Sequence, residues 1–261
     1  MKKALALVLT FVMIFALCAV SASAEEFTFK HGFDLDYPPY SYLQDDGSVG
    51  GFDVELAQAV CEYLGWGYEA VPFNWDAKDA ELNAGSCDCI WSGFTVEGRE
   101  ENYTWAIPYS NNTQMILVAD DAGIASLADL AGKAVGVQTD TSAYDLLQED
   151  QAELAATFGS LEVYESYTIA FQAMKAGAID AIAIDITAGS FLIADEEGYS
   201  FLEETLGEET YAAGFRLGDQ ELADQVSEAL EALAENGTIA EIAAKEDYES
   251  IRAMLTIIDA E

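Results

Sequence analysis

Two short stretches of the chain read alike: LNAGSCDCI, residues 82–90, and MKAGAIDAI, residues 174–182. Each has the character of a helix end, a glycine stop, two linking residues, an aspartate and then a buried strand. Glycine is the usual residue just past a helix because it takes the left-handed conformation at no steric cost. A short apolar run behind it fits a strand covered on both faces.

Working outward, both copies sit at equivalent places in a strand–helix series. In the first half the pattern predicts a strand over 27–35 and a helix over 52–64, with Leu56, Val60 and Leu64 on one face and Gly65 as its stop. A strand over 68–73, a helix over 76–84 capped by Asp76 and a strand over 89–92 follow. In the second half a capping-box start at Ser126-Leu127-Ala128-Asp129 leads to a strand over 134–138 and a helix over 141–147. Strand, helix and strand over 161–164, 168–176 and 179–184 complete it.

Such alternation predicts an α/β protein of two similar lobes, each a mostly parallel sheet flanked by helices. A connecting strand over 211–217 precedes an amphipathic helix with Leu222, Val226, Leu230 and Leu233 as its buried stripe and Asn236-Gly237 as its stop. The chain is therefore expected to return to the first lobe. That makes lobe 1 discontinuous, 25–113 and 212–261, with lobe 2 at 114–211. Crossings near 113–117 and 211–214 would form two hinge strands.

Open α/β sheets bind ligands beyond the carboxyl ends of their strands. Following the two copies to those ends reaches Ser92-Gly93-Phe94-Thr95 in one lobe and Asp185 in the other. Arg99 stands just beyond, one of three arginines in a chain with 48 acidic residues. By itself it reads as an exposed surface residue among Glu97, Glu100 and Glu101. Asp185 by itself reads as a cap for the next helix.

Composition limits the partners. Lys2 and Lys3, an apolar run over 4–20 and Ser21-Ala22-Ser23-Ala24 form a secretory signal, residues 1–24, cut after Ala24. The residue before Cys18 is Leu17, where a lipobox wants a small one, so cleavage is favoured over lipidation. Its removal leaves 8 basic residues against the 48 acidic ones, so no basic patch for nucleic acid or anionic lipid can be built. With 51% hydrophobic residues the chain can still bury a large core. Cys61, Cys87 and Cys89 are an odd set, so at least one thiol is free or pairs between molecules. Cys87-Asp88-Cys89 has the wrong spacing for a zinc site and His31 is the sole histidine, so no metal or cofactor is implied.

The sequence resembles the bacterial solute-binding proteins that deliver polar amino acids to ABC importers. The resemblance rests on Asp34-Leu35-Asp36-Tyr37-Pro38-Pro39-Tyr40, Gly51-Phe52-Asp53-Val54-Glu55-Leu56-Ala57, Trp75-Asp76, and Ser92-Gly93-Phe94-Thr95 with Arg99. Gly136-Val137-Gln138 with Thr141-Ser142, and Gly177-Ala178-Ile179-Asp180-Ala181, carry it through the second half. It implies a two-lobed, periplasmic-binding-protein-like fold (type II). It implies an exported protein, in the periplasm or at the cell surface of a bacterium, that takes a free amino acid to a membrane permease.

Residue by residue, it implies that Arg99 clamps the ligand α-carboxylate through its planar fork. Thr95 and the carbonyl of Ser92, beside Gly93, would meet the ammonium. Thr141 and Ser142 would offer helix-start N–H groups to the carboxylate. Asp185 would supply the ammonium's counter-charge, and Tyr37 and Trp75 the aromatic walls. Tyr40, Trp66, Trp91 and Trp105 are expected in the core.

Two departures stand out. Arg99 comes one residue sooner after Thr95 than the family pattern has it, which requires a tighter loop. Asp140 stands where the family commonly has glycine. Asp34, at the end of the first strand, reads either as a loop aspartate accepting backbone N–H groups or as the partner of the ligand's distal polar group. The second reading predicts lysine, arginine, histidine or glutamine over glutamate, aspartate and leucine.

The alternative function is an exported cyclohexadienyl dehydratase-like enzyme of the same fold. His31 is expected outside the cleft, so only a carboxylate such as Asp34 or Glu81 would serve as its acid or base.

Overall fold

The two similar stretches fold alike, down to individual hydrogen bonds. The computed structural model describes residues 27–258 except Asp45; the predicted signal peptide lies outside the described residues. Helix Lys78–Ala84 ends at Gly85 with φ 76° and helix Tyr167–Lys175 at Gly177 with φ 72°. Each then closes with the paired backbone bonds of a Schellman motif: Gly85 to Leu82 and Ser86 to Glu81, Gly177 to Met174 and Ala178 to Ala173.

The aspartate three residues after each glycine then clips a neighbouring segment from both sides. Asp88 donates its N–H to the Lys30 carbonyl at 2.8 Å and accepts the Lys30 N–H on Oδ2 at 2.8 Å. Asp180 does the same to Ala134, at 2.7 and 2.8 Å.

Two mixed sheets result. The first runs Gly67–Phe73, Thr28–Asp34, Cys89–Ile90, Gly214–Phe215, Thr104–Trp105. The second runs Ser160–Tyr164, Ala134–Gln138, Ala181–Asp185, Ser110–Ala119, Tyr199–Phe201, with Gly207–Tyr211 also on Ser110–Ala119. In each, the three strands of the alternating series are parallel and the crossing or returning strands add antiparallel. The antiparallel share exceeds the expected mostly parallel pattern because the hinge strands belong to the sheets themselves.

The chain leaves the first sheet after Trp105, joins the second at Ser110, and returns between Tyr211 and Gly214. The strand expected over 211–217 is thus two short ones, each serving a different sheet.

Helix Phe52–Leu64 ends at Gly65, as its pattern requires. Helix Gln220–Glu235 buries Val226, Leu230 and Leu233 in the same core as Leu56 and Val60. The helix expected from Asp76 instead begins as a 3-10 turn, Trp75–Ala77, so Asp76 does not cap it. The capping-box segment yields only a 3-10 helix, Leu127–Leu130.

The C-terminal segment also ties the lobes: Asn111 donates its N–H to the Met254 carbonyl at 2.8 Å and Ser250 its hydroxyl to the Thr187 carbonyl at 3.4 Å. Cys61, Cys87 and Cys89 are free and buried, Cys61 and Cys89 within the same apolar core. No helix among the described residues is long and apolar enough to cross a membrane.

Candidate functional site

A cavity with about 290 Å3 of empty space, part of it open to solvent, lies between the lobes at the strand ends. Asp34, Tyr37, Trp75, Ser92, Gly93, Thr95, Arg99, Thr141, Ser142 and Asp185 all line it, together with Gln138. His31 and Glu81 do not. His31 is fully buried inside its strand, bonded to the Trp91 carbonyl at 2.6 Å and the Tyr68 hydroxyl at 3.0 Å. Burial pushes its imidazole down to about 4, so it stays neutral.

The lobe 1 wall is mostly backbone and cation. Strand Cys89–Ile90 ends early and the chain turns through Gly93 at φ 54°. A Cβ there would come within 2.6 Å of the Tyr37 ring, so only glycine fits. The Gly93 N–H is itself engaged by Asp53 Oδ2 at 2.7 Å, which fixes the turn and leaves that N–H no part in holding a ligand. Asp53 also accepts from the Tyr109 hydroxyl at 2.8 Å.

The shortened approach to Arg99 is a turn over 96–99, closed by the Arg99 N–H on the Val96 carbonyl at 2.9 Å with Gly98 at φ 78°. The tight loop therefore delivers the guanidinium into the cavity. It lies 5.5 Å from the centre of the Phe94 ring and only 11% exposed. One Nη2 donates to Asp145 Oδ2 at 2.7 Å, across the cleft on helix Ser142–Gln148. The guanidinium is thus largely withdrawn from solvent, and Asp145 orients it.

The lobe 2 wall is anionic. Asp185 precedes helix Ile186–Leu192 but makes no capping bond to it. Its Oδ1 accepts instead from Asn112 at 2.8 Å, Gln114 at 2.6 Å and the Tyr211 hydroxyl.

Asn112 and Gln114 also donate to Glu209 Oε1, at 2.6 and 2.8 Å, while Glu209 Oε2 accepts from the hydroxyls of Thr95, at 3.0 Å, and Ser142. Two carboxylates thus share one set of amide donors. Burial first, and then the neighbouring Asp185 charge, raise the Glu209 carboxyl to about 7. Thr141 caps its helix, accepting the Tyr144 N–H at 3.3 Å, and Ser142 is the first helical residue.

At the third edge, Asp34 accepts a backbone N–H, as the loop reading expects, and also lines the cavity. Its Oδ1 accepts the Asp36 N–H at 3.0 Å and its Oδ2 accepts the Gln138 amide at 2.9 Å. Burial raises its carboxyl to about 6, against those hydrogen bonds. Gln138 is buried, and its Oε1 has no hydrogen-bond partner among the described residues. A buried acceptor without a partner is unfavourable, and Gln138 is one of the residues lining the cavity.

Tyr37 stacks on Tyr40 and reaches the Tyr211 hydroxyl at 3.1 Å; Trp75 packs edge-on to Phe94. The ordering residues Gln138, Asn112, Gln114 and Glu209 were not among the sequence candidates. One pattern could have found Asn112 and Gln114: with Ser110 they alternate as polar residues along one face of a strand, the face that is buried. Among the described residues no group of His, Cys, Asp and Glu side chains could hold a metal ion.

Two α/β lobes joined by crossing strands, with a polar cavity between their strand ends, define a two-lobed binding protein of the type II periplasmic class. The chain belongs to the bacterial extracellular solute-binding proteins, family 3, whose family model matches residues 29–246. It is 31% identical to the arginine-binding extracellular protein ArtP of Bacillus subtilis, over 94% of this chain and 98% of that one. It is 27% identical to the L-cystine-binding protein TcyJ of Escherichia coli K12, over 85% and 83% of the two chains. A histidine-bound substrate-binding protein of an ABC uptake transporter from Streptococcus pneumoniae superposes with a TM-score of 0.80. It shares 30% identity over 83% of this chain and 90% of that one.

Proposed function

We propose that the protein, exported by its signal peptide, captures a free L-α-amino acid between its lobes and hands it to the membrane permease of an ABC importer. One observation carries the reading: the cavity between the lobes has a largely buried guanidinium on one wall and the Asp185 carboxylate, with Glu209 bonded behind it to the same amides, on another. Arg99 would take the α-carboxylate and Asp185, backed by Glu209, the ammonium. Thr95, Ser92, Thr141 and Ser142 complete the polar lining, with Tyr37 and Trp75 as walls. The arginine, cystine and histidine binding of the relatives supports the same class.

The ligand's side chain points to Asp34 and Gln138, which together present an ionisable carboxyl and an unfilled carbonyl. A guanidinium, ammonium, imidazole or amide satisfies both. A second carboxylate is repelled, and an aliphatic chain leaves Gln138 Oε1 unpaired at about 1–3 kcal/mol. A thermal-shift screen of the standard amino acids is expected to rank arginine, lysine, histidine and glutamine first. The largest shift from glutamate, aspartate or leucine overturns the role given to Asp34.

A second reading has one observation in its favour. Carboxyls raised to about 6 and about 7 in a cleft, Asp34 and Glu209, suit proton transfer near neutral pH, as a cyclohexadienyl dehydratase-like enzyme needs. Against it, protein donors already fill both oxygens of Glu209. Incubation with prephenate or arogenate is expected to yield no aromatic product; its appearance would establish the enzyme.

A further inference from the structure

Among the described residues Asp140 is the one non-glycine with a left-handed backbone, φ 56°. A side chain makes that conformation costly, and the loop keeps it where glycine would adopt it freely. What the aspartate adds is contact across the cleft. Its carbonyl accepts the Trp75 indole N–H at 2.9 Å and the Lys78 ammonium at 3.4 Å, and its carboxylate pairs with the same ammonium. Trp75 and Lys78 belong to lobe 1, Asp140 to the loop after strand Ala134–Gln138 of lobe 2.

Lys78 is badly placed without that partner. Its side chain is 2% exposed, and it starts helix Lys78–Ala84, where the helix dipole disfavours a cation. Its ammonium lies 5.0 Å from the centre of the Trp75 ring, and among the described residues its one ion pair is with Asp140. Parting the lobes would strip a buried ammonium of its counter-charge and free the indole that walls the cavity. The Asp140 side chain is 46% exposed, so the ion pair is only half withdrawn from water; with the Trp75 and Lys78 hydrogen bonds to the Asp140 carbonyl it would be lost on opening, so the cluster acts on the lobe equilibrium.

We propose that Asp140 and Lys78 form an ion-pair latch between the lobes that favours the closed state without ligand and positions Trp75 over the bound solute. Asp140 is a positioning residue here, acting through Trp75 and Lys78. The latch goes beyond the amino-acid reading, because it concerns closure in the empty protein.

The test places a donor and an acceptor dye on cysteines introduced at Tyr63 and Val163, both exposed and on opposite lobes. Energy transfer is recorded without ligand. The parent protein is expected to show a closed population, and Asp140→Gly and Lys78→Met each to lower the closed-to-open ratio about tenfold. The double variant should fall no further than either single one, because both remove one interaction.

Asp140→Gly restores a residue suited to the backbone angle. Its melting temperature should hold or rise while closure is lost, a split that a purely structural role would not produce. Release of bound L-arginine, followed by stopped flow, should quicken about tenfold in Asp140→Gly with the association rate unchanged. A closed fraction equal in the parent and Asp140→Gly, or losses that add in the double variant, would overturn the latch. L-arginine failing to bind would count against the proposed ligand class alone, because the energy-transfer arm contains none.

Discussion

Lobe 1 and lobe 2 share a helix end, a glycine stop and an aspartate clip, yet beyond the clip they present opposite charges to the cavity between them, Arg99 and Asp185. In lobe 1 the strand after the clip stops at Ile90, and the site is made by a glycine turn and the Arg99 guanidinium. In lobe 2 the equivalent strand runs to Asp185, and a hinge strand beside it lends Asn112 and Gln114 to a carboxylate pair. The same scaffold serves both. What differs is strand length and which neighbour lies alongside, and that is the difference the proposed zwitterionic ligand would require.

Removing the lobe 1 cation is expected to have the largest effect. Arg99→Ala should abolish amino-acid binding, at about 2–5 kcal/mol for leaving a desolvated carboxylate unpaired. Arg99→Lys should fail as well, since a point charge cannot reproduce the planar fork. Calorimetry reads both, with circular dichroism expected to show an intact fold. Near-native affinity in either variant would place the carboxylate elsewhere.

The lobe 2 carboxylates should reveal themselves through pH. Glu209 is raised to about 7 from an ordinary 4.5, chiefly by burial. Its contribution to the stability of the empty protein is therefore fully present below about 4.5 and is lost as pH rises through about 7. An ammonium ligand prefers the ionised form and reverses that trend. Affinity should rise with pH by up to roughly tenfold per unit below 7, with a proton released on binding. Asp34, raised to about 6, acts in the same direction. Calorimetry in buffers of different ionisation enthalpy counts the proton. Glu209→Gln should flatten the profile, and an unchanged slope would sink the assignment.

The shared part of the lobes should respond equally. Asp88→Asn and Asp180→Asn each weaken one clip, so each should cost about 1 kcal/mol of stability, read as comparable falls in melting temperature. A large fall from one and none from the other would mean that the repeated stretch is only superficially equivalent.

Much of this was legible along the chain because it is local. Helix Phe52–Leu64 and its Gly65 stop follow from apolar spacing and from the backbone freedom of glycine. The strand ends follow from the repeated aspartate, so Ser92, Thr95 and Asp185 were within reach before any coordinates.

Glu209 was not. It is one of 48 acidic residues, and nothing in Glu208-Glu209-Thr210 tells the exposed glutamate from the one buried between lobes. The start of the helix at Lys78 rather than Asp76 was hidden for a similar reason, since the other lobe engages Trp75 and Lys78.

By itself the sequence determined the order of strands and helices, their stops and the residues at the strand ends. Those depend on hydrophobic period and backbone conformation over a few neighbours. Tertiary structure alone decided which charges are buried and which polar groups they meet: Glu209 beside Asp185, Gln138 on Asp34, Asp140 on Lys78. Burial and pairing are set by chain segments far apart in sequence, and the cost of desolvating a charge exists only once those segments have closed around it.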